Sequence, residues 1–354
     1  MTAEHATTVE LTPLQRCIQT VLVRLGVADD EAEQIADVLV DAELRGYPDH
    51  GVWFLGEVAG WFRSRALNPR PTLQVVRETD VSLLLDGDGG CGVVASYRAM
   101  DWCVQRARER GVATAAIQRS GHFIAAAPFV TRAARAGCIG VAAANVSPLM
   151  APPGGRTRTL GTNPFAFAAP TGGDFPLVFD MATTAIAGFK VRLAAREGRQ
   201  LEPGLIADAQ GRPSDDPRDF LQGGLLLPVG GHKGFGLALM VEVLAGVLSG
   251  ASFGADAGVT NGREGHFFLA LNPDVFMTHD EFIQRMDELV RQVKAGERAE
   301  GVQELFVPGE RGQRRAAELR RSGQVPLDAQ GWSTLQEVCG SVDLEPPPIA
   351  GRLH

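Results

Sequence analysis

From about residue 72 the hydrophobic period of this chain switches repeatedly between two residues and three to four. That alternation, more than any single motif, narrows the folds available to it. Leu73–Arg77 and Val81–Leu85 read as strands, and the second runs into the turn-rich DGDGG of residues 86–90. Tyr97–Arg110 reads as a helix with Met100, Cys103, Val104 and Ala107 turned inward and Gly111 at its end. Val112–Ile117 is a predicted strand and Ile124–Ala136 a second predicted helix, in which Pro128 is tolerable only near the first turn. Cys138–Asn145 is another strand. Strands alternating with helices of this length require an α/β layer architecture.

The flanking segments read differently. Asp29–Leu44 is a predicted helix, capped by Asp29 or Asp30, with Ile35, Leu39 and Ala42 on one face and Gly46 available for a left-handed C-terminal turn. The central stretch 146–200 is rich in Pro, Gly and Thr, with short strands expected at Phe165–Ala169 and Leu177–Phe179 and a helix or extended arm from Gly188 to Arg199. The longest apolar run, Leu237–Leu248, is interrupted by Glu242 and is too short to cross a bilayer, so a buried helix is expected. His266–Leu271 resumes a strand. Thr278 and Glu281 form a capping-box pattern ahead of a long amphipathic helix carrying Phe282, Ile283, Met286, Leu289, Val290 and Val293. One or two further helices follow, and the final EPPPIAGRLH reads as poorly ordered.

Composition removes several functional classes. A net charge of -8 provides no broad basic field for nucleic acid or anionic membrane. Five cysteines without CxxC pairs are neither a disulfide framework nor a zinc pattern, and they suit a reducing cytoplasm. The seven histidines include no HExxH or HxH pair, so no built-in metal site is expected. MTAEHATTVELTP lacks a basic-then-apolar signal pattern, which argues against export.

Four constellations could carry chemistry. RGYPDHGVWFL (45–55) places His50 in a loop just beyond a helix, beside Asp49. RSGHF (119–123) lies between a strand and a helix, where α/β sheets collect ligands, and sets His122 in that crevice; the alternative is a histidine that only caps or packs. GGHKGFG (230–236) presents His232 and Lys233 ahead of a helix. Lys233 is followed by glycine where a phosphate-binding P-loop needs Ser or Thr, and GDGGCG (87–92) lacks the dinucleotide-fingerprint spacing. LGTNP and DMATT bring Thr162, Asn163, Asp180 and Thr183 into loops after strands, suited to a polar ligand, although each alone reads as a turn former. Lys190, Arg192, Arg196 and Arg199 offer positive charge to an acidic substrate or simply form a solvated helix face.

LGTNPFAFAAP, FDMATTAIAGFKVRLAAREG, LLLPVGGHKGFGLALMVEVLAGVLSGA and GHFFLALNP, in this order, closely resemble the malate/L-lactate dehydrogenase family that is unrelated to Rossmann-type lactate dehydrogenases. Its members include ureidoglycolate and sulfolactate dehydrogenases and Δ1-piperideine-2-carboxylate reductases. The resemblance runs from about residue 10 to 340. It implies a non-Rossmann NAD(P)-binding α/β fold with a mixed β-sheet, plus a helical domain built from N- and C-terminal segments. Residues 1–70 would form the N-terminal helical segment, 71–275 the cofactor-binding region, 276–340 a C-terminal helical segment packing on the N-terminal one, and 341–354 a tail. It also implies NAD or NADP as cofactor, a small-molecule substrate and a homodimer with active sites near the subunit interface.

Carried over by position, His122 and Phe123 match a motif for cofactor and catalysis, with the histidine as proton acceptor in some relatives. Asp180, Met181 and Ala182 match a nicotinamide-nucleotide contact, Thr162 a substrate contact and Lys233, with His232 beside it, a cofactor contact. Ser147 falls near another cofactor position. PGER (308–311), with Glu310 and Arg311, matches a segment that closes on the cofactor, and Lys190 stands where some reductases place a relay aspartate.

The chain departs from the family at RGYPDHGVWFL, where members read like RGxxSHGxxRL. His50 and Gly51 are kept, Asp49 replaces the serine, and Phe54 replaces an arginine that grips the substrate carboxylate; Ile124 replaces the usual small residue after HF. A bidentate arginine–carboxylate contact is among the stronger charge-assisted pairs, and phenylalanine cannot replace it. The expectation is a dehydrogenase or reductase moving a hydride between nicotinamide and a carbonyl (2-oxo/2-hydroxy acid-like) or cyclic imine, other than simple pyruvate or oxaloacetate. His50 would be the substrate-side acid/base with Asp49 beside it, and His122 the second candidate. Trp53 and Phe54 would stack on the substrate, and Lys190, Arg156 or Arg158 would be left to meet a carboxylate from another side. The competing reading is a catalytically silent homodimer that binds the nucleotide; a P-loop phosphotransferase would instead bind ATP and magnesium.

Overall fold

The structure is a computed structural model that describes residues 7–258 and 262–352. The chain divides into two compact units, one formed by Leu73–Ala168 and Phe179–Asn272, the other by the residues up to Thr72, Ala169–Val178 and those from Pro273 onward.

The sheet has seven strands in the order Gln74–Glu78, Ser82–Asp86, Val112–Ser120, Glu264–Leu271, Ile139–Ala144, Phe165–Ala169 and Leu177–Met181. Ser82–Asp86 and Val112–Ser120 pair in parallel, whereas Glu264–Leu271 runs antiparallel to both of its neighbours. The sheet is therefore mixed, as the resemblance implied. Alternate residues Ala113, Ala115 and Ile117 are buried, and the run Ala142–Ala144 is small enough for close layer packing. At Gly140 an added Cβ would lie 2.7 Å from the Ala133 Cβ, so the helix Ala127–Arg135 rests directly on this strand.

Several expected boundaries move for physical reasons. The helix expected from Tyr97 begins at Gly92, behind glycines that masked its start, and Ser96 Oγ donates back to the Gly92 carbonyl. The helix expected from Ile124 begins at Ala127, because Ile124 has φ +71°, a left-handed conformation outside any helix.

The apolar run Leu237–Leu248 is not the buried helix expected. It forms an α-helix, His232–Val241, that widens into a π-helical turn, Glu242–Val247. Leu239, Met240, Val243, Val247 and Leu248 are between 40% and 61% exposed. Only Ala238, Val241, Glu242, Ala245 and Gly246 of this run are buried.

In the other unit, helices Leu11–Arg24, Asp29–Arg45 and Val52–Arg63 pack with Glu310–Ser322 and Ala329–Gly340. Leu14, Ile18, Leu22, Ile35, Leu39 and Leu55 are fully buried there. Asp29–Arg45 starts without a side-chain cap and ends, as expected, on a left-handed Gly46. The Thr278–Glu281 capping box forms in full at the head of His279–Lys294. The segment expected to be poorly ordered instead supplies a strand, Ile349–Arg352, antiparallel to Thr7–Glu10, whose other side pairs with Gln324–Leu327. Residues 353–354 and 1–6 lie outside the described residues. All five cysteines are free and buried. Among the described residues no helix is long and apolar enough to cross a membrane, and no group of His, Cys, Asp and Glu is placed to hold a metal ion.

Candidate active site

RGYPDHGVWFL is not a simple loop. Pro48–His50 form one 3-10 turn, and Val52 then opens the helix Val52–Arg63. Asp49 is buried and its Oδ1 lies 3.5 Å from His50 Nδ1, while the imidazole remains part-exposed. The carboxylate faces Nδ1, a placement suited to a proton on that atom with Nε2 left as the acceptor. The Phe54 ring stacks on His50 with centroids 6.0 Å apart and planes 16° apart, and meets Trp61 edge-on at 5.5 Å. Trp53, expected to line the substrate with Phe54, is instead buried and donates through Nε1 to Asp328 Oδ1 at 2.7 Å. It is one turn position away from Phe54 on the helix and faces the core.

Beneath this turn lies Glu43, which the sequence did not single out. Its Oε2 accepts from the Val52 amide at 3.0 Å, which satisfies one open N–H of the new helix. A Cβ at Gly51 would sit 2.4 Å from that oxygen, so only glycine fits between the histidine and the helix. Burial pushes the Glu43 carboxyl up to about 7, with Asp328 and Asp49 adding to the shift and the Val52 amide and Arg315 opposing it. Arg315 donates to the carbonyls of Glu43 and Leu44 at 2.7 and 2.6 Å, closing the end of the preceding helix.

The PGER segment belongs to the same unit. Glu310 accepts from Lys294, Arg314 and the Val307 amide, and the Arg311 guanidinium lies 4.2 Å over the Phe306 ring.

In the other unit, His122 sits in a tight turn after Val112–Ser120. The Ile124 amide donates to His122 Nδ1 at 2.9 Å, which places the proton of the neutral ring on Nε2. Adding a second proton would set two N–H groups against each other. The left-handed Ile124 is what turns its amide back onto the ring. The GDGGCG glycines are absorbed here as packing: the Gly92 amide donates to the His122 carbonyl, and a Cβ at Gly92 would lie 2.2 Å from the Gly121 carbonyl. Phe123 is buried, stacked on His266 with planes 3° apart, so only its backbone can face a ligand.

His266 is a second residue the sequence reading left aside. It is fully buried, its Nε2 lies 3.0 Å from the Gly121 carbonyl, and burial pushes its pKa down to about 4. It is a neutral prop under the His122 turn. Glu264, two residues earlier, is buried too, and its pKa is pushed up to about 8 by desolvation.

Hydrogen bonds join the remaining segments of this unit. Asp180 Oδ2 accepts from the Ala127 amide at 2.8 Å, capping the helix that follows the His122 turn. The Thr183 amide and hydroxyl both donate to the Thr162 carbonyl, linking DMATT to LGTNP. The Val229 amide donates to the Thr183 carbonyl at 3.0 Å and brings up GGHKGFG. Met181 and Ala182 lie part-exposed in the same run. Ser147 Oγ donates to the Gly258 carbonyl at 3.2 Å.

Gly230 and Gly231 have φ +60° and +65°, and a Cβ on either would meet nothing within 4 Å. They leave open space in front of the helix His232–Val241, where His232 and Lys233 are exposed. Open helix amides beside a lysine fit the phosphates of a dinucleotide.

The arginines are less available than expected. Arg158 donates to the carbonyls of Gly224 and Phe220 and stacks over the Phe220 ring at 4.9 Å, so it cannot meet a substrate carboxylate. Lys190, Arg192 and Arg156 remain exposed.

Comparison with known proteins identifies the family of the chain. The malate/L-lactate dehydrogenase family matches residues 9–336. The malate dehydrogenase of Pyrococcus abyssi is 36% identical over 302 residues, covering 82% of this chain and 83% of its own. The Δ1-pyrroline-2-carboxylate/Δ1-piperideine-2-carboxylate reductase of Pseudomonas syringae pv. tomato is 35% identical over 355 residues, covering 96% of this chain and 100% of its own. The solved sulfolactate dehydrogenase of Methanocaldococcus jannaschii superposes with a TM-score of 0.86 at 34% identity, covering 96% of this chain and 98% of that one. The chain belongs to the malate/L-lactate dehydrogenase family and is an oxidoreductase of that type.

Proposed function

We propose that this chain is an NAD(P)-dependent dehydrogenase or reductase acting on a 2-oxo/2-hydroxy acid or a cyclic imine bulkier than pyruvate or oxaloacetate. The observation that carries the reading is the stacking of Phe54 on His50, an apolar wall beside a proton-exchanging imidazole. The substrate classes are those of the relatives: a hydroxy acid for the malate dehydrogenase, a cyclic imine for the Pseudomonas enzyme.

The nicotinamide, when bound, supplies or takes up the hydride. His50 exchanges the proton through Nε2, with Asp49 beside Nδ1 orienting the ring. His122 donates a hydrogen bond from Nε2 toward the substrate oxygen or nitrogen, since its Nδ1 is engaged by Ile124. Lys233, His232 and the amides behind Gly231 hold phosphate. Ser147, Asp180, Met181, Ala182 and the Phe123 backbone line the dinucleotide, Thr162 and Lys190 contact the substrate, and Glu310 and Arg311 belong to the segment that closes on the cofactor. The protein is a homodimer of the cytoplasm in this reading. The exposed face of Leu239, Met240, Val243 and Val247 supports the first point, because an apolar strip of that kind marks an association surface; the free cysteines support the second.

The test is a titration with NADH and with NADPH, followed by a screen of 2-oxo acids and cyclic imines that reads nucleotide oxidation. Turnover of a bulky oxo acid or imine well above that of pyruvate and oxaloacetate is expected. Robust turnover of pyruvate or oxaloacetate would overturn the substrate assignment. Tight nucleotide binding with no turnover on any compound would favour the silent binder that Asp49 and Phe54 also permit.

A further inference from the structure

Glu242 breaks the most apolar stretch of the chain, and it does so where the helix His232–Val241 passes into the π turn. π turns within α-helices recur at functional sites because they rotate one side chain out of register. Here the rotated side chain is a carboxylate that is only 3% exposed. Its Oε1 accepts from Asn145 Nδ2 at 3.0 Å and from the Gly254 amide at 2.8 Å, and its Oε2 accepts from Asn163 Nδ2 at 2.6 Å. Among the described residues no cation pairs with it. Three neutral donors alone offset the burial of this group.

What those donors belong to gives the cluster its meaning. Asn145 leads into Ser147 and also accepts from the Gly265 amide at 2.8 Å. Asn163 follows Thr162, has φ +32°, and donates to the Ala238 carbonyl on the helix opened by His232 and Lys233. Gly254 lies in the loop that reaches Gly258, the acceptor for Ser147. Three loops and one helix thus converge on one acceptor: the helix and the two asparagine loops carry proposed ligand contacts, and the Gly254 loop braces Ser147 through Gly258. The sheet ladder between Val112–Ser120 and Glu264–Leu271 makes its own backbone bonds and does not depend on it.

We propose that Glu242 is the positioning residue that sets the dinucleotide-binding loops of this unit, by acting as a shared acceptor for Asn145, Asn163 and Gly254. The inference rests on the reading that these loops bind a dinucleotide. An acceptor-only group is required: all three partners donate, so an amide at this position turns its own N–H₂ against at least one of them.

Glu242→Gln keeps shape and volume and creates that mismatch. Direct titration with NADH and NADPH is expected to show affinity weakened about tenfold. Hydrogen exchange should accelerate at 145–147, 162–163 and 252–258 and at the Gly265 amide that Asn145 holds, while the strands Val112–Ser120 and His266–Leu271 keep their protection. Adding Asn163→Asp places an acceptor opposite the new amide and removes the donor to the Ala238 carbonyl, which keeps its helical bond from the Glu242 backbone. The double variant should recover part of the lost affinity and loop protection, which a generally destabilised protein would not do. Wild-type affinity and exchange in Glu242→Gln would overturn the proposal, as would uniform acceleration through loops and sheet with no recovery in the double variant. If the wild-type protein binds neither nucleotide, the dinucleotide reading fails by itself, and the loop-specific exchange pattern separately decides whether Glu242 holds these segments.

Discussion

The Phe54 ring lies nearly parallel to the His50 imidazole, with centroids 6.0 Å and planes 16° apart. An aromatic face buffers the imidazole from water and offers a substrate contact area without charge. Phe54→Arg should therefore raise kcat/KM for pyruvate or oxaloacetate by about tenfold or more, through a charge-assisted carboxylate contact. It should lower the same constant for the best substrate found in the screen. Steady-state kinetics on both substrates checks the exchange, and unchanged pyruvate activity would argue that Phe54 does not face the substrate.

His50 and His122 differ in which nitrogen is engaged, and their variants should differ in kind. His50→Gln is expected to lower kcat about a hundredfold or more and to remove one limb of the pH–rate profile. His122→Gln should lower kcat without removing that limb, since it loses only a hydrogen-bond donor. Asp49→Asn, which no longer holds the proton on His50 Nδ1, should resemble His50→Gln more than wild type. Nucleotide affinity measured alongside should stay within about threefold for all three.

Glu43 makes stability depend on pH in a defined direction. Its pKa rises from 4.5 to about 7 on folding. Its contribution is thus fully present below pH 4.5 and is lost as pH rises through 7. Glu43→Gln keeps an acceptor for the Val52 amide and removes the buried charge. It should raise Tm at pH 8 by several degrees and change it little at pH 4.5. His266 works in the other sense: its pKa falls from 6.5 to about 4, so its contribution is present above 6.5 and lost as pH falls through 4. Thermal melts of wild type and Glu43→Gln across this range test both slopes.

Lys233 stands exposed beside the open amides behind Gly231. Lys233→Met should weaken nucleotide binding about tenfold and reduce its sensitivity to salt, without changing Tm by more than a degree or two. A nucleotide affinity that does not respond would move the phosphate site elsewhere.

The strip of Leu239, Val243 and Val247 predicts self-association. Val243→Glu should convert a dimer to monomer in light scattering at micromolar concentration. A wild-type monomer under the same conditions would leave the strip for another partner.

Periodicity and turn residues made the mixed α/β layer legible: the Thr278–Glu281 capping box, the left-handed Gly46 and the strand at Phe165–Ala169 all form where spacing placed them. What it hid follows from the same rules. A strand entering the sheet centre from residue 264 has the same period as one at an edge. An apolar helix reads as buried whether covered by its own chain or left open. Glu43, Glu242 and His266 look ordinary in sequence, because the partners that justify them come from other segments: the Val52, Asn145 and Asn163 donors and the Gly121 carbonyl acceptor. For Glu242 the available signal was a carboxylate inside an apolar run, since such a group survives burial only when something meets it. Trp53 and Phe54 show the converse: adjacent in sequence, they point to different surroundings.

The placement of Glu264–Leu271 between Val112–Ser120 and Ile139–Ala144 has a consequence for how the protein comes into being. Two halves of the sheet leave the ribosome with facing, unpaired edges well over a hundred residues before the strand that joins them. The first strand, Thr7–Glu10, waits longer still, for partners at Gln324–Leu327 and Ile349–Arg352. The unit around this sheet cannot close before Leu271 has been made, and the other waits for Ile349–Arg352, so acquisition of structure is expected to be late, slow and dependent on protection of those edges in the cell.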